Sequence, residues 1–186
     1  MNLKDLRRKV EAAWVRFLAG ATTIRPVRRG DPDDAAGAAE VLNGVIAEKR
    51  YTAMSGHWTA EAERAYIDSL GSRSELFVAE VAGRVVGLQS IEPFVVYTST
   101  MDHVAEVGTF VLAEYRGRGI GHGLARASLG FARQHGYEKV VVLVLADNPL
   151  GLAYYRGLGF EACGTLARQT KIDGVYHDEI VMEMHL

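Results

Sequence analysis

The chain has 186 residues, of which 48% are hydrophobic and 24% charged, and its formal net charge is −2. These values are typical of one globular domain that can bury a core, and they exclude a largely disordered chain. Residues 1–30 hold eight basic and two acidic side chains, so the rest of the chain is acidic, and nucleic acid is not an expected partner. The single cysteine, Cys163, excludes an internal disulfide framework and suits the cytoplasm; its apolar neighbours predict a thiol packed in the core.

The first predicted element is an N-terminal helical extension over residues 1–20, ahead of a folded domain at residues 21–186. Its apolar residues recur at helical spacing: Leu3, Leu6, Val10, Trp14, Phe17 and Leu18. Such a face would pack on the domain or on a second subunit, and binding at a membrane surface is the alternative. No apolar stretch of the sequence is long enough to span a membrane, so none is expected to do so.

The rest of the pattern alternates strands with helices and closes with two consecutive strands. The predicted strands cover residues 22–28, 75–81, 85–93, 104–112, 140–145, 160–171 and 175–186. The predicted helices cover residues 31–49, 59–70 and 124–135, with a short helix between residues 148 and 160. Asp31 and Thr59 are the expected N-caps of the first two. This order indicates an α/β domain whose mixed, mostly antiparallel central sheet is flanked by helices.

A glycine-rich turn separates the strand at residues 104–112 from the helix that follows. Residues 116–123 are Arg-Gly-Arg-Gly-Ile-Gly-His-Gly. Glycines allow positive φ and close approach of the backbone, and the first N–H groups of a helix attract anions. The turn lacks the lysine of a P-loop, and His122 stands where a dinucleotide-binding fold would have its third glycine. The pattern therefore favours another kind of phosphate-binding turn, with a purely structural turn as the alternative.

Two motifs carry a resemblance to a known family. The spacing Arg116-x-x-Gly119-x-Gly121 resembles the acyl-CoA-binding motif of the GNAT superfamily of N-acetyltransferases. Members of that superfamily commonly have an asparagine, a short helix with a tyrosine near its end, and a Gly-Phe pair that opens a strand. Asn148, Tyr155 and the pair at residues 159–160 match these positions in order. The resemblance covers residues 22–186 and is nearest in character to phosphinothricin and amino-acid N-acetyltransferases.

The resemblance implies that acetyl-CoA is the cosubstrate and that no metal is needed. The pantetheine arm would pair with the backbone of residues 111–113, and the pyrophosphate would lie on the glycine-rich turn. The residues expected to bind acetyl-CoA are Val111, Leu112, Ala113, Arg116, Gly117, Arg118, Gly119, Ile120, Gly121, His122, Gly123, Leu124, Asn148 and Tyr155. For Arg118 and His122, a surface position without a ligand is an equal alternative.

The resemblance also implies two catalytic residues. Tyr155 would donate a proton to the departing CoA thiolate, and an aromatic core residue is the alternative. Glu106 would be the base; a carboxylate in its apolar strand is costly unless it faces solvent or a partner, and a solvent-facing carboxylate is the alternative. An ordinary glutamate is a weak base toward an ammonium group, so Glu106 would need a raised pKa or a relay water.

The expected reaction is direct transfer of an acetyl group from acetyl-CoA to a primary amine of a small molecule or amino acid. A protein or peptide N-acetyltransferase and a non-catalytic acyl-CoA sensor are the alternatives. Variable loops are expected to supply the acceptor site, through His57, Trp58, Phe94, Tyr97 and Tyr176. The sequence leaves the acceptor and the oligomeric state open, with a homodimer as one option.

Overall fold

The computed structural model describes residues 22–28 and 31–186. The predicted helix at residues 1–20 lies outside the described residues. The strands are β1 Thr22–Pro26, β2 Glu75–Val81, β3 Arg84–Pro93, β4 Val104–Val111, β5 Lys139–Leu145, β6 Glu161–Ile172 and β7 Val175–His185. The α-helices are α1 Pro32–Ala47, α2 Ala60–Ser69, α3 Ile120–Gln134 and α4 Pro149–Gly157, and short 3-10 turns cover Ser99–Met101 and Ala113–Tyr115.

The strands form one sheet in the order β1-β2-β3-β4-β5-β7-β6. Among the described strands only β4 and β5 pair in parallel, and every other neighbouring pair is antiparallel. The predicted α/β class with a mixed, mostly antiparallel sheet is therefore confirmed. No helix of the described residues is long and apolar enough to cross a membrane.

The helices cover both faces of the sheet. Side chains alternate between faces along a strand. On one face of β3, Gln89 accepts a hydrogen bond from Ser128 of α3. On the other face, Ser90 and Glu92 border a cavity together with residues of α1 and α2. The sheet therefore separates α3 on one side from α1 and α2 on the other.

Two helices begin after their predicted N-caps, and a third begins earlier in the sequence than predicted. The Oδ1 atom of Asp31 accepts a hydrogen bond from Asp33 N at 2.9 Å, and Thr59 Oγ1 accepts one from Ala62 N at 3.1 Å. Helix α3, however, begins at Ile120 rather than at residue 124. Gly119, with φ of 81°, ends the turn at the N-cap position, and the glycines after it form the first helical turn instead of interrupting it.

The expectation that Cys163 packs in the core is wrong. Residues 161–169 of β6 are all exposed, because β6 is the last strand of the sheet and pairs only with β7. The Cys163 thiol is exposed and donates to the Val181 carbonyl at 3.4 Å. Apolar neighbours in the sequence do not bury a residue when no described helix covers the strand.

The sheet opens between its two central strands. Strand β4 pairs with β3 along its whole length as far as Val111. Its pairing with β5 covers only Val104–Glu106 against Lys139–Val141. Beyond Glu106, β4 and β5 therefore diverge and leave a gap in the sheet, which we call the fork.

Candidate active site

The fork exposes one edge of β4. Leu112 N–H donates to Val86 O at 3.0 Å, so it faces β3. Because backbone groups alternate in direction along a strand, Thr109 and Val111 turn their N–H and C=O groups toward the fork. The Val111 carbonyl accepts a hydrogen bond from Arg116 Nε at 2.8 Å. Val111 therefore presents its N–H group to the fork, as predicted, whereas Leu112 faces β3. Sequence reasoning missed Thr109, although alternation along the strand would have indicated it.

The glycine-rich turn leads from β4 directly into the first turn of α3. The N–H groups of Ile120, Gly121 and His122 belong to this turn, where the helix itself supplies no acceptor. Gly121 also allows α4 to approach, since a Cβ there would lie 3.0 Å from the ring of Tyr154. The Tyr154 hydroxyl donates to the Gly121 carbonyl at 2.8 Å. The helix start predicted to hold phosphate is therefore fixed to the helix that carries Tyr155.

The arginines and the histidine of the turn have different surroundings. The Arg116 guanidinium forms a two-armed ion pair with Glu48 and lies 4.6 Å above the Tyr51 ring. Its contacts, including the one to the Val111 carbonyl, shape the turn. Arg118 lies 5.3 Å above the Tyr115 ring and is only partly buried. His122 is exposed and packs edge-on against Tyr154.

Tyr155 lies at the fork in a chain of buried hydrogen bonds. Its side chain is 5% exposed, and its hydroxyl is 2.9 Å from Thr109 Oγ1. Thr109 Oγ1 accepts from Gln89 Nε2 at 2.8 Å, and Gln89 Oε1 accepts from Ser128 Oγ at 2.7 Å. Burial raises the pKa of Tyr155 well above that of a free phenol, despite the contact with Thr109. Its hydroxyl is therefore a protonated group held in one position.

Asn148 helps to position Tyr155, because it caps the helix that carries Tyr155. Asn148 is buried, and its Oδ1 accepts a hydrogen bond from Gly151 N at 2.9 Å. Pro149 follows in the first helical turn, where its missing N–H costs nothing. Asn148 thus caps α4 and fixes the start of the helix that presents Tyr155.

A cavity of about 390 Å³ lies on the other face of the sheet, between the strands and helices α1 and α2. Most of its lining is apolar or aromatic, and three carboxylates complete it. The lining residues are Leu42, Met54, Trp58, Glu63, Tyr66, Leu76, Leu88, Ser90, Glu92, Pro93, Glu106, Val107, Gly108 and Phe110. The structure therefore brings the predicted Glu106 and Trp58 together in one chamber, which we call the acidic cavity.

The other predicted acceptor residues lie elsewhere. His57 borders a neighbouring, more open depression that also contains Arg84. Tyr97 is 83% exposed, and Tyr176 is 48% exposed beneath Arg168 and Lys171. Phe94 is half-buried at the end of β3 and is not among the residues that line the acidic cavity. Of the five predicted residues, Trp58 alone is in the cavity lining.

Glu106 and Glu92 face each other across β4 and β3. They are register partners, so their side chains project from the same face of the sheet. Glu106 is exposed where it borders the cavity, as the solvent-facing alternative predicted, but partial removal from water still raises its pKa, and the negative charges of Glu92 and Glu179 raise it further. Glu92 in turn accepts a hydrogen bond from the Tyr66 hydroxyl at 2.5 Å. Glu106 thus has the raised pKa that a proton acceptor for an ammonium group would need.

Glu63 is a third acidic residue of the cavity, and sequence reasoning missed its role. Its place in the first turn of α2 suggests nothing more than the favourable interaction of an acidic residue with a helix N-terminus. Its side chain is 1% exposed, and its Oε2 atom has no hydrogen-bond partner among the described residues. Burial raises the pKa of Glu63 to about 7. The available indication was its spacing of four from Ile67, which places it on the buried face of the helix.

The acidic cavity and the fork meet at Glu106. Glu106 is the last residue of β4 that pairs with β5, and it also lines the cavity. Its negative charge contributes to the raised pKa of Tyr155, so the two groups are within electrostatic range. A carboxylate on one face and a phenol on the other therefore flank the point where the central strands part.

Comparison with known proteins finds a matching family and similar proteins. The family model described as acetyltransferase (GNAT) family matches residues 45–160. The chain is similar to N-acetyltransferase family 8 member 2 of Rattus norvegicus, with 31% identity over 105 residues, which are 56% of this chain and 45% of that protein. It is also similar to an L-methionine sulfoximine/L-methionine sulfone acetyltransferase of Pseudomonas aeruginosa, with 28% identity over 60% of this chain and 64% of that protein. The matches thus span about half to two thirds of the length of these curated relatives.

A solved structure shows the same fold at low sequence identity. It is a phosphinothricin acetyltransferase from Sinorhizobium meliloti in complex with AcCoA, with a TM-score of 0.79 and 20% identity. The likeness covers 89% of this chain and 89% of that one. Since the family model covers more than half of the chain and the fold agrees with it, the chain belongs to the acetyltransferase (GNAT) family.

Proposed function

We propose that the protein is an N-acetyltransferase that moves an acetyl group from acetyl-CoA directly to a primary amine of a small molecule. The observation that carries this proposal is the fork, which has the Tyr155 hydroxyl and the Glu106 carboxylate on either side of it. The structural neighbour in complex with AcCoA supports the choice of donor.

The residues around the fork suit the parts of acetyl-CoA. The Val111 N–H and the Thr109 backbone would pair with the amides of the pantetheine arm. The first turn of α3, which begins after Gly119, would hold the pyrophosphate through its N–H groups and the positive end of its dipole. Arg118 and His122 would add to this site from the surface, whereas Arg116 would keep the turn in shape.

The proposed reaction uses one residue from each face of the sheet, Glu106 and Tyr155. The neutral amine nitrogen would attack the thioester carbon, so that a C–N bond forms and the C–S bond breaks. Glu106 would take the proton that the ammonium must lose, directly or through a water. Tyr155 would donate its proton to the departing thiolate, and the second proton that the nitrogen loses on becoming an amide would restore the Tyr155 hydroxyl. The raised pKa of Glu106 makes it a better proton acceptor. The raised pKa of Tyr155 keeps its hydroxyl protonated before the reaction but also makes it a weaker acid, so its proton would move only as negative charge builds on the sulfur.

The acidic cavity supports a small molecule as acceptor. Its volume of about 390 Å³ lies near the lower end of the roughly 300–1,000 Å³ of small-ligand pockets. The relative named for L-methionine sulfoximine is likewise named for a small acceptor, and that acceptor is an amino acid; it supports only the size of the acceptor proposed for this chain. The carboxylates and the buried phenol at the fork argue against a non-catalytic sensor, which would need neither.

The first experiment is thiol release from acetyl-CoA across a panel of amines, with calorimetry of acetyl-CoA binding, for the wild type and Tyr155→Phe. We expect turnover with at least one amine, and a fall in kcat of roughly 100-fold in Tyr155→Phe at unchanged acetyl-CoA affinity. Tyr154→Phe is the neighbouring comparison: because it loses the bond to the Gly121 carbonyl, it should weaken acetyl-CoA binding, while its kcat at saturating acetyl-CoA should fall far less than that of Tyr155→Phe. Tight binding without turnover for any amine would favour the sensor, and unchanged kcat in Tyr155→Phe would remove its role as acid.

A further inference from the structure

We infer that the acceptor is a primary amine with an apolar body and no negative charge, and that Glu63 selects it against the corresponding amino acid. This inference rests on the proposed function and narrows it. It adds Glu63 to the site as a specificity-determining residue that holds the acceptor ammonium group together with Glu92 and Glu106.

The charge of the acidic cavity is one-sided. Three of its lining residues are glutamates, and none of the described lining residues is Lys, Arg or His. An amino acid would bring a carboxylate within reach of these glutamates without a cation to pair with it. The neutral donors are few, and the Tyr66 hydroxyl is already bonded to Glu92. The negative charges of the glutamates would repel the carboxylate of such a ligand, so the cavity discriminates against amino acids.

Glu63 is a buried acid with one oxygen atom that has no hydrogen-bond partner in the described part of the chain. Its side chain is 1% exposed and borders the acidic cavity, and its Oε2 atom has no hydrogen-bond partner among the described residues. A buried carboxyl group without a partner costs stability. An ammonium group in the cavity would provide that partner, which accounts for an acid at this depth.

The other two glutamates of the cavity also favour a bound cation. Glu92 and Glu106 are register partners on neighbouring strands. Like charges directly opposite each other in a sheet are destabilising. A cation between them would relieve this repulsion. The same cation would provide a partner for the Glu63 carboxyl group. The cavity therefore has two independent features that a bound ammonium group would stabilise.

The remaining lining defines the rest of the acceptor. Met54, Trp58 and Phe110 border the cavity together with Leu42, Leu76 and Leu88. These side chains favour an alkyl or aromatic body attached to the amine, because its transfer from water to an apolar lining is favourable. Phenethylamine has this chemistry and serves as the probe.

The first test compares three acceptors that differ at one substituent: phenethylamine, phenylalaninamide and phenylalanine. The amide carries a neutral group of nearly the same size as the carboxylate, so it separates charge from bulk. We expect kcat/KM for phenylalanine to be roughly 100-fold below the values for both neutral-substituent amines. A value for phenylalanine equal to or above that for phenethylamine would overturn the inference. An equal loss for the amide would also overturn it, because size rather than charge would then decide.

The second test is Glu63→Gln, with Glu61→Gln as its matched control on the exposed side of α2. We expect Glu63→Gln to raise KM for phenethylamine about tenfold, with a smaller change in kcat and unchanged acetyl-CoA affinity. The variant should also reduce the ratio of kcat/KM for phenethylamine to kcat/KM for phenylalanine. A residue with a merely structural role would not change this ratio. Glu61→Gln should match the wild type. Unchanged discrimination in Glu63→Gln would contradict the role of Glu63.

A binding measurement separates this inference from the proposed function. Calorimetry of phenethylamine and phenylalanine, each added to the protein saturated with CoA, requires no turnover. Preferred binding of phenylalanine would overturn the inference even if acetyl transfer is observed. Preferred binding of phenethylamine, with no thiol release from acetyl-CoA for any amine, would support the inference on binding and contradict the proposed reaction.

Discussion

Glu63 shows at the scale of one residue how a site can cost stability. Burial raises its pKa from 4.5 to about 7, so between these values the folded protein binds a proton that the unfolded chain releases. The stability from this proton is fully present below pH 4.5 and is lost as the pH rises through 7. Glu92, Glu106 and Tyr66 line the same cavity, and Glu106 also has a raised pKa.

The prediction compares the free protein with Glu63→Gln. Both share the other titrating groups, so the difference between them isolates Glu63. We expect the free energy of unfolding of the wild type to fall relative to the variant by about 2–3 kcal/mol between pH 5 and pH 8. Urea unfolding at several pH values measures this difference. Parallel pH curves for the two proteins would show that Glu63 has an ordinary pKa.

At the scale of elements, a buried carboxylate connects α1 to β1 and to the residues that follow β1 through two ion pairs. Asp34, 1% exposed, accepts hydrogen bonds from Arg25 at 2.6 and 2.7 Å and from the Arg28 side chain at 2.7 Å. Burial alone would raise the pKa of Asp34, but the two guanidinium groups outweigh it and hold the pKa well below its usual value. This stability is present above about pH 4 and is lost as the pH falls through the lowered pKa.

We therefore expect Asp34→Asn to lose about 3 kcal/mol of unfolding free energy at pH 7, since two arginines lose their buried partner. Asp33→Asn is the control, because Asp33 is exposed in the same helical turn. The loss in Asp34→Asn should shrink as the pH falls below 4, and urea unfolding at pH 7 and pH 3 measures it. A loss as small as that of Asp33→Asn would contradict the anchoring role.

The same scale shows which features the sequence could predict. The caps Asp31 and Thr59 were predictable because capping is local and depends on a few neighbouring residues. Glu106 was found through the resemblance to the superfamily, and Trp58 was found through its position in a loop. Glu63, Glu92 and Tyr66 were not, because they meet only when α2 packs against β3, a contact between segments distant in sequence. The start of α3 was misplaced because glycine is usually unfavourable inside a helix, whereas here Gly121 makes room for Tyr154.

At the scale of the whole molecule, the fork divides the sheet into two parts that acetyl-CoA would connect. A ligand that binds only the folded state stabilises it by about 2.7 kcal/mol at 100 times its Kd. We expect CoA to raise the melting temperature accordingly. We also expect it to slow hydrogen exchange at the Val111 amide and in the first turn of α3, and to leave the exposed strand β6 unchanged.

A comparison of two ligands tests whether the edge of β4 and the first turn of α3 bind different parts of CoA. Adenosine diphosphate has the pyrophosphate of CoA without the pantetheine arm, so it should protect the first turn of α3 and leave the Val111 amide unprotected. Hydrogen exchange followed by mass spectrometry on the free protein, with CoA and with adenosine diphosphate, measures both. Equal protection of Val111 by the two ligands would mean that the pantetheine arm does not use the edge of β4. Protection centred on β6 would place the nucleotide away from the fork altogether.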